Sequence, residues 1–84
     1  MNLSRDEVAG IIESFLNGTS GEWDWDGFIS IPLEDPELEA VRRKCAAARE
    51  EFPPTQPRQY CGEQGVETMR RIAAELRAGA TPNI

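Results

Sequence analysis

The stretch Ser4-Arg-Asp-Glu-Val-Ala-Gly-Ile-Ile-Glu-Ser-Phe-Leu-Asn-Gly18 decides the fold. It opens on Ser4 with Glu7 three residues later, the reciprocal pair that satisfies free amide groups at a helix start. Val8, Ile11, Ile12, Phe15 and Leu16 then recur at the spacing of one helix face. Asn17-Gly18 supplies a left-handed stop. The pattern predicts a helix over about 5–17 with a single apolar stripe, which other helices must cover.

Two further helices can be read downstream. Asp35-Pro36 places an N-cap before a proline at the first helical position, and a helix to about Glu50 follows. Its inward stripe is Leu38, Val41, Cys45 and Ala48. Glu37 and Glu39 stand at its start and Arg42, Arg43, Lys44 and Arg49 later, in accord with the helix dipole. Phe52-Pro-Pro-Thr-Gln-Pro57 cannot be helix interior and reads as a semi-rigid connector, with Tyr60 pinning it to the core. A last helix covers about 63–78 with Val66, Met69, Ile72, Ala73 and Leu76 inward. Gly79 ends it, and 80–84 reads as a frayed tail.

Between the first two long helices, Glu22-Trp-Asp-Trp-Asp-Gly-Phe-Ile-Ser30 holds both tryptophans and three acids. After a turn at 18–23, Asp24 is expected to cap a short helix over about 25–30, with Trp25, Phe28 and Ile29 on one side. The stretch 29–33 could instead be extended, since Ile31 precedes Pro32. The fold class is therefore all-α: one domain spanning 1–84, a compact bundle of three longer helices (about 5–17, 36–50, 63–78) plus one short helix (about 25–30).

A chain of 84 residues, 39% hydrophobic and 29% charged, is globular rather than disordered but has only a modest core. No apolar run approaches a membrane span, and the start Met1-Asn-Leu-Ser-Arg-Asp-Glu-Val8 lacks a signal-like apolar region, so a cytoplasmic location is expected. Charge is uneven. Residues 1–40 carry ten acids against Arg5 alone, and residues 41–84 carry eight bases against five acids, for a net −6. Such a field repels phosphate backbones and argues against nucleic acid as a partner. It suits a basic protein partner, or head-to-tail pairing of two copies.

Cys45 and Cys61 with no histidine leave too few ligands for structural zinc. Cys61, beside the start of the last helix, reads as the more reactive thiol. A calcium loop beginning at Glu22 would place Glu22, Asp24, Asp26, Gly27, Ile29 and Ser30 at fitting positions. Leu33, however, stands where the closing bidentate glutamate belongs, and Glu34 comes one residue late. Without histidine the usual base for a serine or cysteine nucleophile is missing, and Gly62-Glu-Gln-Gly65 follows no strand, so neither an enzyme nor a cofactor is expected.

The runs Phe15-Leu-Asn-Gly18, Trp23-Asp-Trp-Asp-Gly-Phe-Ile-Ser30 and Asp35-Pro-Glu-Leu-Glu-Ala-Val-Arg42 resemble a group of small bacterial proteins. In that group a W-D-W-D-x-F-I-S segment precedes a D-P-x-L-E-x-[IV]-R helix. The resemblance covers roughly the first half of the chain, extends toward Tyr60–Gly65, and carries no activity with it. Size, acidity and helical content are also similar to those of the immunity proteins that neutralise bacterial toxins, although the tyrosine-pair segment of the colicin type is absent.

These readings converge on a non-enzymatic acidic module that binds another protein, with neutralisation of a basic partner such as a toxin as one concrete form. The surface singled out is Glu22, Asp24, Asp26, Glu34, Asp35, Glu37 and Glu39. The alternatives are a calcium- or small-ligand-binding module centred on 22–34, and a homo-oligomeric structural protein.

Overall fold

Four helices, α1 (Arg5–Leu16), α2 (Asp24–Ser30), α3 (Pro36–Glu51) and α4 (Glu63–Arg77), make up the secondary structure of the described residues. The computed structural model describes residues 2–19, 24–57 and 59–82, and no strand occurs among them. Side-chain caps start α1 and α3, whereas α4 begins at Gly62 with no side-chain cap bond. At α1 the Glu7 amide donates to Ser4 Oγ (3.1 Å) and the Ser4 amide to the Glu7 carboxylate (3.0 Å), closing the capping box. Asp35 caps α3 by accepting from the amides of Glu37 (2.8 Å) and Leu38 (3.3 Å), with Pro36 next in line.

The two helix ends that need a left-handed residue have glycine. Gly18 (φ 72°) and Gly79 (φ 80°) are the positive-φ residues among those described. At α1, Gly18 N–H donates to Phe15 and Thr19 N–H to Ser14; at α4, Gly79 N–H donates to Leu76 and Ala80 N–H to Glu75. Both are the paired closure that satisfies the last carbonyls of a helix.

α1 and α4 form the most extensive helix pair and run antiparallel: Arg5 reaches the Ala80 carbonyl, while Leu16 and Asn17 lie near Arg70 and Ala74. α3 also runs against α4, with Leu38 near Leu76 at one end and the Gly62 amide donating to the Phe52 carbonyl (2.7 Å) at the other. The short α2 lies across α1 and α3. Val8, Ala9 and Ile12 of α1, Trp25 and Phe28 of α2, Leu38, Val41, Cys45 and Ala48 of α3, and Met69, Ile72, Ala73 and Leu76 of α4 share one core with Leu33 and Cys61. Burial of these side chains is the main stabilising contribution, at about 25 cal/mol per Å2 of apolar surface. The Cα radius of gyration, 11.9 Å, is what a close-packed chain of this length has.

Phe15, Trp25, Phe28 and Tyr60 close one end of the core, with Trp25 touching the other three rings. Phe15 stacks on Trp25 with ring centroids 3.9 Å apart, and Tyr60 meets both rings edge-on. The Tyr60 hydroxyl donates to the carbonyls of Cys45 (2.9 Å) and Ala46 (3.2 Å), which ties the proline connector to α3. Trp25 Nε1 is buried beside that hydroxyl without hydrogen-bond geometry to it.

The α1 stripe faces the core as read: Val8 and Ile12 are fully buried, Ile11, Phe15 and Leu16 are partly buried against the core, and the small Ala9 is also turned fully inward toward it. Two expectations are corrected. Asp24 is itself helical, the first residue of α2, rather than the cap before it. The tail is not frayed as far as Pro82: that residue is buried, and Arg5 of α1 holds the Ala80 carbonyl.

Candidate protein-binding surface

The seven acids of the expected surface have different roles. Glu22 lies outside the described residues. Asp24 and Asp26 are exposed in the first turn of α2, where their charge also suits the helix dipole. Glu34 is exposed in the α2–α3 connection. Asp35 is committed to capping α3. Glu37 is paired with Arg5, linking the starts of α3 and α1.

Glu39 is the most heavily engaged. Its carboxylate accepts from Arg42 Nε (2.7 Å) and Nη2 (2.6 Å), from Arg43 Nε (3.0 Å) and from the Leu33 amide (2.8 Å). Those hydrogen bonds, Arg42's first and Leu33's second, hold its pKa far below the usual carboxylate range. Arg42 also donates from Nη1 to the Ile29 carbonyl (2.6 Å), one of the last carbonyls of α2. α2 has no basic residue in its own last turn, so α3 provides the cation for that end. Through one ion pair, α3 therefore grips both sides of the connection at 31–34.

The acids of α1 are engaged as well. Glu13 accepts from Arg77 Nη2 (2.7 Å), which lowers its pKa, and Asp6 lies 3.8 Å from the same guanidinium. Much of the contrast between the acidic and basic halves of the chain is therefore satisfied within the fold. Asp26 of α2 and Glu34 of the α2–α3 connection remain as exposed acids.

Sequence reasoning missed two residues here. Ile31, 42% exposed, is the one large hydrophobic side chain displayed among the described residues, and it lies between Asp26 and Glu34 in the chain. Ile31 and Leu33 flank Pro32, with the first outward and the second buried, an alternation already visible in the sequence. Arg42 read only as one of the later bases that suit the α3 dipole. Its contact with Ile29 spans 13 positions and follows no helical spacing.

Residues 24–30 are helical, which bears on the calcium reading. On a helix, positions two apart project about 200° apart, so Asp24 and Asp26 diverge rather than enclose an ion. Gly27 has no positive φ there. Among the described residues, no three metal-ligating side chains group together.

The expectation of a reactive Cys61 is overturned. Both cysteines are free and fully buried. Burial pushes the Cys61 thiol up, and it pushes Cys45 up to about 12, with the neighbouring Cys61 adding to the effect. Desolvation outweighs the dipole at the start of α4. A cleft of about 450 Å3 at that start is lined by Glu51, Phe52, Pro53, Thr55, Gly62, Glu63 and Gln64. It brings acids and backbone together, and the Thr55 hydroxyl on its wall donates to Gln59 Oε1 (3.2 Å) rather than to a carboxylate.

Comparison with known protein families, with curated proteins and with solved structures finds no match. Among the described residues no helix is long and apolar enough to cross a membrane.

Proposed function

We propose that this chain is a non-enzymatic module that binds a basic protein partner through α2 and the α2–α3 connection; neutralising a basic toxin is one concrete form. Three longer helices serve as the scaffold and the short helix with its following connection as the presenting element. The observation that carries the reading is the exposure of Asp26 and Glu34 while Asp6, Glu7, Glu13, Asp35, Glu37 and Glu39 serve the fold's own caps and ion pairs. Exposed carboxylates that are not tied up in the fold's caps and ion pairs steer encounter with a cationic surface and reject anionic ones.

The test is charge reversal at those positions. Asp26→Lys with Glu34→Lys should leave the fold nearly intact, since surface changes stay within about 0.5 kcal/mol. Association with a partner isolated from the native cell should slow and lose most of its salt dependence. Glu37→Lys is a poor probe, because it would set two cations together at Arg5. Unchanged kinetics in the double variant would reject this surface and turn attention to the cleft beside Phe52 and Gly62.

A further inference from the structure

The α2–α3 connection is only a few residues long, yet it is held at three points. Arg42 Nη1 bonds the Ile29 carbonyl on its near side (2.6 Å). Glu39 accepts from the Leu33 amide on its far side (2.8 Å). Pro32, between them, fixes its own φ and restricts Ile31 before it. The two gripping side chains lock each other, since the guanidinium Nε and Nη2 take the two carboxylate oxygens side-on, and both are largely buried, at 13% and 15% exposure. Leu33 is drawn into the core, and Ile31, two residues earlier, is left outward.

A single exposed isoleucine is ordinary on a protein surface. This one differs because the chain around it is held on both sides, and the exposed Asp26 and Glu34 precede and follow it in the chain. We infer that Glu39 and Arg42 hold the α2–α3 connection as a preformed recognition loop in which Ile31 is the apolar anchor for a recess rimmed by lysine or arginine on a protein partner. The inference rests on the proposed function and specifies how that surface recognises its partner. A loop ordered before binding loses little entropy on docking, and an apolar anchor that enters a recess concentrates binding energy while a charged rim sets specificity. Asp26 and Glu34 supply the acidic part of that rim. Glu39 and Arg42 are positioning residues, since their side chains face inward to the loop backbone.

The test has two measurements on the full chain. The first is hydrogen exchange at the Leu33 amide. In Arg42→Lys, which keeps the charge but cannot grip Glu39 and Ile29 together, protection should fall about ten-fold or more while the α4 core amides keep theirs. Arg42→Ala should act in the same direction. Unchanged protection at Leu33 in Arg42→Lys overturns the clamp. The second measurement places a photo-crosslinking amino acid at Ile31, at Asp26 or at the outward Glu67 of α4 in the native cell. The expected result is one basic protein captured from positions 31 and 26 but not 67, with capture from 26 strongly reduced by Ile31→Asp and by Arg42→Lys. Capture from 26 but not from 31, or capture indifferent to Arg42→Lys, sinks the anchored loop and leaves the acidic surface standing. Capture from neither position, or of an acidic protein, sinks both.

Discussion

Phe15 and Trp25 lie face to face, 3.9 Å between ring centroids and 5° from parallel, and this contact fastens the end of α1 to α2. Trp25 is 5% exposed and also touches Phe28 and Tyr60. Trp25→Ala should therefore cost about 3–5 kcal/mol, a large part of the stability of so small a domain. Trp25→Phe should cost far less, because the ring contact survives and the indole N–H it removes makes no hydrogen bond of normal geometry. Urea melts of the two variants measure this. A loss below about 1 kcal/mol for Trp25→Ala would mean that the tryptophan is a surface group.

The Glu39–Arg42 pair predicts a pH dependence. The carboxyl pKa of Glu39 falls from an ordinary 4.5 to well below the usual range in the folded chain, chiefly through the Arg42 and Leu33 hydrogen bonds. A depressed folded pKa means that the unfolded chain binds the proton more readily. The stabilisation is then complete above the unfolded value and is lost as pH falls below it toward the folded value. Glu13, held down by Arg77, acts in the same direction but is exposed and screened, so it contributes less. Wild type and Glu39→Gln should differ in urea midpoint at neutral pH and converge as the solution is acidified. Parallel curves down to about pH 2 would show that the carboxylate has no such role.

The helices, the caps and most of the core could be read in the sequence because their determinants are local. Ser4 with Glu7, Asp35 with Pro36, and the stripe Leu38–Val41–Cys45–Ala48 each lie within a few turns of chain. The site was less legible because its determinants are not local. Ten acids looked like one field, but whether each faces solvent or an arginine depends on packing: Arg77 meets Glu13 across 64 positions and Arg5 meets Glu37 across 32. The α2 C-terminus takes its cation from another helix, so no rule of spacing could have singled out Arg42. Cys61 misled for a related reason: position next to a helix start can be read from sequence, but burial cannot.

Burial of the thiols gives a third prediction. With Cys45 raised to about 12 and Cys61 raised as well, neither should react appreciably with an aromatic disulfide reagent at neutral pH in the native state. Both should react together when the chain is unfolded in urea, and the rate across the transition should follow the unfolded fraction. One thiol titrating rapidly in native buffer would contradict the packing around α4, and mass spectrometry would identify which.

Two helical glycines should respond to alanine with opposite signs. A Cβ at Gly65 would stand 2.7 Å from Cys61 Sγ, 3.2 Å from Cys61 Cβ and 3.1 Å from Phe52 Cβ, and all of these atoms belong to packed side chains at the start of α4. Gly65→Ala should destabilise by about 1–3 kcal/mol through overpacking, despite the better helix propensity of alanine. At Gly27, inside α2, a Cβ would meet nothing within 4 Å, and φ is not positive. Gly27→Ala should therefore stabilise by about 0.5–1 kcal/mol. The same substitution discriminates a helix from a calcium loop, because the sixth position of such a loop makes a turn that alanine disfavours. Chemical denaturation of both variants, with and without millimolar calcium, settles the matter. The expected pattern is a loss at position 65, a gain at 27 and no effect of calcium on either. A loss at 27, with a calcium-dependent midpoint in the parent chain, would replace the helix by an ion-binding loop and the acidic surface by a metal site.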